Sequence, residues 1–225
     1  MALLLHIETS TEVCSVALSH NASVLALEEE LEGYAHSEKL ISFCNTVLKK
    51  NGLQFKDLEA VCVSKGPGSY TGLRIGVSAA KGICYALNLP LISVHTLQHM
   101  AWNVSQIISD HEAYFCPMID ARRMEVYCAF YDHHNQEVLS PAAEIIDESS
   151  FEAFLKMKKI YFIGNGSDKC KEILSIHPNA LFVEGIVPSA QNMIQIAEQK
   201  FLRKEFENTA YFEPFYLKDF WKGSA

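Results

Sequence analysis

The chain has 225 residues, of which 49% are hydrophobic and 20% charged, with a formal net charge of −8. That composition is globular rather than disordered, and the length allows one large or two small domains with a sizeable core. An acidic chain is not built for direct binding along a phosphate backbone, and the opening Met-Ala-Leu-Leu-Leu-His-Ile carries neither a basic leader nor an apolar run long enough for a membrane span. Seven dispersed cysteines, Cys14, Cys44, Cys62, Cys84, Cys116, Cys128 and Cys170, form no C-x-x-C pair. They predict small apolar side chains, reduced thiols and a cytoplasmic setting.

Leu3 to Ile7, Val13 to Leu18 and Val24 to Leu27 are short apolar or alternating runs that predict three strands in a meander, with Asn21-Ala22 as a hairpin tip. His36 to Lys50 predicts a helix whose apolar stripe holds Leu40, Ile41, Phe43, Cys44, Val47 and Leu48, and Asn51-Gly52 ends it. A strand at Ala60 to Val63, a helix at Tyr70 to Leu87, a break at Asn88-Leu89-Pro90, a strand at Leu91 to Val94 and a helix from Thr96 to Ile107 follow. This order mixes hairpins with parallel crossovers and predicts a mixed sheet covered by helices.

The polar stretch Ser109-Asp110-His111-Glu112 marks a boundary, giving an N-terminal lobe over residues 1–108 and a smaller C-terminal α/β lobe over 109–225. The second lobe reads as strands at Tyr114 to Ile119 and Glu125 to Tyr131, with a hairpin tip at Asp132 to Asn135. A helix at Ser149 to Lys156, a strand at Ile160 to Ile163, a turn at Gly164-Asn165-Gly166 and helices at Lys169 to Ile176 and Ser189 to Glu205 complete it. The aromatic tail Pro214-Phe215-Tyr216-Leu217 is expected to dock, and no internal repeat is visible.

The run Ser64-Lys65-Gly66-Pro67-Gly68-Ser69-Tyr70-Thr71-Gly72-Leu73-Arg74-Ile75-Gly76 is the most informative segment. A buried strand enters a Gly-Pro-Gly turn and leaves as a helix that Ser69 or Thr71 can cap. Two readings follow. The free N–H groups of the helix start can face an anion. Alternatively, the motif turn Gly66, Pro67, Gly68, Ser69 and Thr71 is purely structural, and Gly72, Gly76 and Ala80, four apart, form a bare face that a second helix can approach. The turn lacks the Gly-Lys-Ser/Thr of a P-loop.

Ile7-Glu8-Thr9-Ser10-Thr11, His36-Ser37-Glu38-Lys39-Leu40, the Gly66 to Gly76 block, Lys81-Gly82, Pro90 to Val94, Asp120 to Arg123 with Glu125-Val126-Tyr127, Gly164-Asn165-Gly166 and Pro214 to Leu217 together resemble the bacterial TsaB (YeaZ) family over nearly the whole chain. The resemblance implies an α/β fold of the actin, hexokinase and Hsp70 type (ASKHA), with two related lobes of mixed sheet flanked by helices, the second reduced. It implies a non-catalytic subunit in the synthesis of N6-threonylcarbamoyladenosine at position 37 of tRNA. Its partners would be the transferase TsaD and the ATPase TsaE, with tRNA engaged only through the complex and a homodimer formed when the chain is alone. No intrinsic cofactor is implied; ATP or ADP would sit at the partner interface or in partner subunits. The implied partner contact uses Leu40, Ile41, Cys44, Val47 and Leu48 on the first helix and Gly72, Arg74, Gly76 and Ala80 on the second.

Other chemistry competes with that reading. Kinases of the superfamily use an Asp and a Gly in the first strand-turn; here the acid is Glu8 and no Gly is present, so a phosphotransferase on Glu8 and Gly66 to Ser69 stands as the alternative. His95 and His99, at i and i+4, have metal-ligand spacing, and a metallopeptidase is a further alternative, although the peptidase Glu of H-E-x-x-H is missing. His133-His134 reads as a solvated tip. Asp120, Arg122 and Glu125 read either as an acid–base group or as a charged turn with a local ion pair. Tyr127, Tyr131, Phe212, Phe215, Tyr216 and Trp221 read as base-stacking surfaces or as core and tail anchors.

Overall fold

The computed structural model describes residues 2–31, 33 and 36–218. Two units emerge, Met1–His99 with Pro188–Phe215, and Met100–Val187 with the residues from Tyr216 on. The division therefore falls at His99/Met100, inside a helix, rather than at 108/109, and a late segment of the chain returns to the first unit.

The first unit is built on a five-stranded sheet. Strands β1 (Leu3–Glu8), β2 (Cys14–His20) and β3 (Ser23–Glu30) form the antiparallel meander, and β4 (Ala60–Ser64) and β5 (Leu91–Val94) join in parallel, giving the order β3-β2-β1-β4-β5. Leu5 lies opposite Leu18 on one side and Val61 on the other, and Cys62 lies opposite Ile92. Asn21 and Ala22 at the β2–β3 tip both take positive φ, 52° and 60°, as a two-residue hairpin turn requires. Helices α1 (His36–Lys49) and α2 (Tyr70–Leu87) bury Leu40, Cys44, Val47, Leu48, Val77 and Ala80 against Leu5, Ile7, Val16 and Val63. The start of helix α3 (Thr96–Ile107) also belongs to this unit.

The opposite face of the sheet is covered by the returning segment. A 3₁₀ turn at Ala190–Met193 leads into a further helix, Ile194–Leu202, so the continuous helix expected over Ser189 to Glu205 is split and shorter. The Ala190 amide donates to Ser15 Oγ at 2.9 Å, Lys200 Nζ donates to the Ser93 carbonyl at 2.8 Å, and the Glu207 amide donates to the Leu91 carbonyl at 2.8 Å. With both faces covered, every residue of β1 is buried, which explains an apolar run where a half-exposed strand would alternate.

The second unit repeats this plan. Strands β6 (Tyr114–Asp120), β7 (Glu125–Tyr131) and β8 (Glu137–Ile145) form a meander, helix α4 (Glu152–Met157) leads to β9 (Ile160–Ile163), and helix α5 (Asn165–Leu174) leads to β10 (Ala180–Val183). The helix Ile194–Leu202 is thus α6. The sheet order β8-β7-β6-β9-β10 matches the first strand for strand, with the meander antiparallel and the later strands parallel. This internal repeat of topology was not visible in the residues. Its core joins Met118, Val126, Cys128, Phe130, Phe162, Cys170 and Leu174.

Two edge strands escape the sequence patterns. Pro141 interrupts the reading of β8, which as an edge strand can lack a ladder donor, and β10 has only four residues. Helix α5 begins at Asn165 instead of Lys169, because Gly164 takes φ 91° and turns β9 straight into it.

Candidate functional site

The first strand-turn is the centre of the first unit's chemistry. Glu8, Thr9 and Ser10 are wholly buried. Glu8 Oε1 accepts the Ser10 amide at 2.5 Å, and Glu8 Oε2 lies 2.6 Å from His99 Nε2 at the start of α3. Burial by itself would raise the Glu8 pKa. The hydrogen bond and charge of His99, with the bonds from Ser10, outweigh it and hold the carboxyl below its usual range. Glu8 is therefore an anchored anion with both oxygens engaged.

The Gly66-Pro67-Gly68 turn and α2 close over this strand-turn. The Ser69 amide donates to the Ser10 carbonyl at 2.6 Å, and Ser69 Oγ caps α2 by accepting the Gly72 amide at 3.3 Å. Thr9 Oγ1 donates to the Gly72 carbonyl at 2.8 Å. A Cβ at Gly68 would overlap the Ser10 carbonyl, one at Gly72 the Thr9 carbonyl, and one at Gly76 the Thr9 hydroxyl. The bare face of Gly72 and Gly76, read from the sequence as open to a second helix, is instead occupied by the chain's own strand-turn. At Gly66, φ is 108° and a Cβ would lie 2.7 Å from the Phe215 carbonyl. The Phe215 amide in turn donates to the Lys65 carbonyl at 2.7 Å, so this part of the tail docks on the turn.

This packing relocates the residues expected at a partner contact. Leu40, Cys44, Val47, Leu48, Gly72, Gly76 and Ala80 are buried in the unit's own structure. Ile41, 50% exposed, and Arg74, which lies 4.0 Å over the Tyr70 ring, remain at the surface with Thr71. The apolar stripe of α1 faces the sheet because an amphipathic helix buries its stripe on the nearest core.

The histidine pair separates. His99 binds Glu8, whereas His95 Nδ1 lies 3.3 Å from the Gly66 carbonyl with its ring edge-on to Phe215. Burial, then the nearby Lys65, pushes His95 down to about 4. Among the described residues no group of three His, Cys, Asp or Glu side chains is placed to hold a metal ion. All seven cysteines are buried, and burial pushes the Cys14, Cys84 and Cys170 thiols up to about 11, the reverse of a nucleophile's environment.

In the second unit the turn after β6 is a charged hairpin. Lys169 pairs with Asp120 and donates to the Glu125 carbonyl at 2.7 Å, Lys218 pairs with Glu125, and Arg122 and Arg123 occupy the left-handed region at φ 72° and 50°. Gly164 and Gly166 pack on the backbone of Met118 to Asp120, just as the first unit's glycines pack on Thr9 and Ser10. At the β7–β8 tip His134 is exposed as read, whereas His133 is half-buried, with its ring centroid 3.9 Å from that of His111. Tyr131 and Phe212 are buried, and Trp221 lies outside the described residues. No signal in the sequence points to the Glu8–His99 pair, whose members are 91 residues apart.

Paired meander-and-crossover sheets of identical order, each with a glycine turn pressed on its first strand-turn, define the actin- and hexokinase-like class of fold. YeaZ from Pseudomonas aeruginosa superposes with a TM-score of 0.81 at 24% identity, covering 96% of this chain and 100% of that one. The activator of 2-hydroxyisocaproyl-CoA dehydratase from Clostridium difficile, solved with bound ADPNP, shares the fold at a TM-score of 0.52 and 11% identity, covering 92% and 98% of the two chains. The family model described as TsaD, tRNA N6-adenosine threonylcarbamoyltransferase, matches residues 30–220. The tRNA threonylcarbamoyladenosine biosynthesis protein TsaB of Escherichia coli strain K12 is 31% identical over 231 residues, covering 96% of this chain and 94% of that protein. The chain belongs to the TsaB family, within the wider TsaD-type family whose model spans it.

Proposed function

We propose that this chain is a non-catalytic subunit of a tRNA threonylcarbamoyladenosine-forming complex, and that it acts by binding a TsaD-type transferase and holding it in its working state. The observation that carries this reading is the closed first strand-turn. In a phosphotransferase of this fold that turn receives phosphates; here Glu8, Thr9 and Ser10 are fully buried beneath the capped start of α2, and each Glu8 oxygen already has a donor. A nucleotide phosphate would have to open α2 from the strand to enter, and the one side-chain hydroxyl of Glu8 to Ser10 left without a partner, that of Ser10, is buried beneath that closed turn. Membership of the TsaB family supports the pathway, and the TsaD-type family match supports a partner of related fold.

The surface assigned to the partner is the outward side of α1 and α2, where Ile41 offers apolar area and Arg74 a charge. ATP or ADP would then belong to that interface or to partner subunits, TsaE would join the larger assembly, and two copies of this chain would pair through the same surface in the partner's absence. No helix among the described residues is long and apolar enough to cross a membrane, in keeping with a role beside tRNA in the cytoplasm.

The test is threonylcarbamoylation of tRNA by a purified TsaD-type transferase, TsaE and the adenylate-forming enzyme, with and without this chain. Product that appears only when the chain is added, from a chain that is inert alone, is the expected result. Equal product without it would overturn the proposed role.

A further inference from the structure

Lys65 stands apart from the other described lysines. It follows β4, immediately before the Gly66-Pro67-Gly68 turn, and is half-buried. Its side chain lines an open pocket of about 380 Å³ with Glu207, Asn208, Tyr211, Phe212, Glu213 and Phe215. Lys39, Lys50, Lys81, Lys156, Lys158, Lys159, Lys169, Lys171, Lys200 and Lys218 each have an ion-pair or hydrogen-bond partner. Lys49, Lys56 and Lys204 are exposed to water. Lys65 alone combines partial burial with an ammonium that bonds to no acceptor among the described residues.

The surroundings do not supply a partner. Lys200, on α6, donates to the carbonyl of Ser93 on β5, the strand paired with β4, and the ring of His95 lies at the Gly66 carbonyl next to Lys65. Glu207 shares the pocket and its charge opposes loss of the Lys65 proton, but its Oε1 accepts the Ser93 hydroxyl and no hydrogen bond joins it to Lys65. Glu213 lies on the exposed rim, and the Tyr211 ring is also exposed. A half-desolvated ammonium beside a second cation relieves its cost by giving up its proton, which leaves a nucleophilic amine.

We propose that Lys65 Nζ is a preferred acylation site of this protein, reacting with acyl phosphates, the mixed anhydrides of a carboxylic acid and phosphoric acid. The free amine attacks the acyl carbon. The new Nζ–C bond forms as the C–O bond to phosphate breaks, phosphate departs with the electron pair, and the amine's surplus proton passes to solvent. The product is a neutral amide at the residue whose carbonyl accepts the Phe215 amide. Burial first, then Lys200, lowers the Lys65 pKa, with Glu207 opposing.

The experiment treats the full chain with limiting acetyl phosphate over a series of pH values and follows acetylation at each lysine by mass spectrometry. Because a larger share of its amine is free at a given pH, Lys65 is expected to react about threefold or more faster than Lys49, Lys56 and Lys204 near pH 8. Its rate should also reach half-maximum at lower pH than theirs, a feature that mere accessibility would not produce. Lys200→Met, checked for folding by circular dichroism, should slow Lys65 and move its profile upward. A Lys65 rate equal to or below those of the exposed lysines, or a coincident pH profile in the unaltered chain, would overturn the proposal. These outcomes are independent of the tRNA assay.

Discussion

Glu8 and His99 form a buried side-chain contact, Oε2 to Nε2 at 2.6 Å, that ties the end of the first strand to the start of α3 across 91 residues of chain. Neither side chain has any exposed surface. Removing one partner leaves the other desolvated, which costs about 3–5 kcal/mol for a buried pair. Glu8→Ala and His99→Ala are each expected to lose stability in that range in urea unfolding. The double variant should lose less than the sum, since one orphaned group is removed with the other. Full additivity would refute the coupling.

The glycines of α2 are matched to the strand-turn, and this separates them from a neighbouring helical glycine. Gly72→Ala and Gly76→Ala place a Cβ against the Thr9 carbonyl and hydroxyl, whereas Gly82 has nothing within 4 Å of the same added atom. The first two are expected to destabilise by about 2–3 kcal/mol through overpacking. Gly82→Ala should stabilise by up to about 1 kcal/mol, since alanine is the better helix former. Thermal unfolding of the three variants checks the ordering.

Ser69→Ala tests the cap. The side chain accepts the Gly72 amide at the first turn of α2. Its loss is expected to cost about 1 kcal/mol, while Ser69→Asp should retain most of the stability, as read by denaturant midpoints.

Acid should weaken the fold in two ranges. Burial pushes His6 down to about 3, and His95 lies at about 4, against an ordinary value of 6.5. Between those limits the unfolded chain binds more protons than the folded one. Stability from these histidines is therefore complete above about pH 6.5 and falls as the pH drops towards their folded values. The slope from fully buried His6 approaches about 1.4 kcal/mol per pH unit, and half-buried His95 adds less. Glu8, depressed below 4.5, contributes stability above that pH and loses it as the pH falls through its folded pKa. His6→Gln should flatten the first range and leave the second; an unchanged slope between about pH 6 and 4.5 would count against the assignment.

Partner binding should respond to surface residues and leave the fold intact. Ile41→Asp and Arg74→Glu alter exposed positions on α1 and α2. They are expected to change stability by less than about 0.5 kcal/mol while weakening association with a TsaD-type partner about tenfold or more. Sedimentation or calorimetric titration of folded variants reads this directly, and undiminished binding by both would move the contact elsewhere.

Local pattern in the chain determined most of its elements. Apolar runs of strand length marked β1, β4, β5 and β9, the stripe from Leu40 to Leu48 marked α1, and Ser69 and Asn88, the latter left-handed at φ 53°, marked the ends of α2. These signals are legible because they arise between residues a few positions apart. The spacing of Gly72, Gly76 and Ala80 likewise announced a close approach, though not its object. Only the tertiary structure decided that this object is the Thr9–Ser10 turn, and that His99 lies against Glu8. It also decided that α6 and the segment to Phe215 return to the first unit, and that β8 and β10 complete a second sheet of the first one's order. Each of these depends on groups brought together by the packing of distant segments, where burial and hydrogen-bond satisfaction act on the folded whole and leave no periodic mark on the sequence.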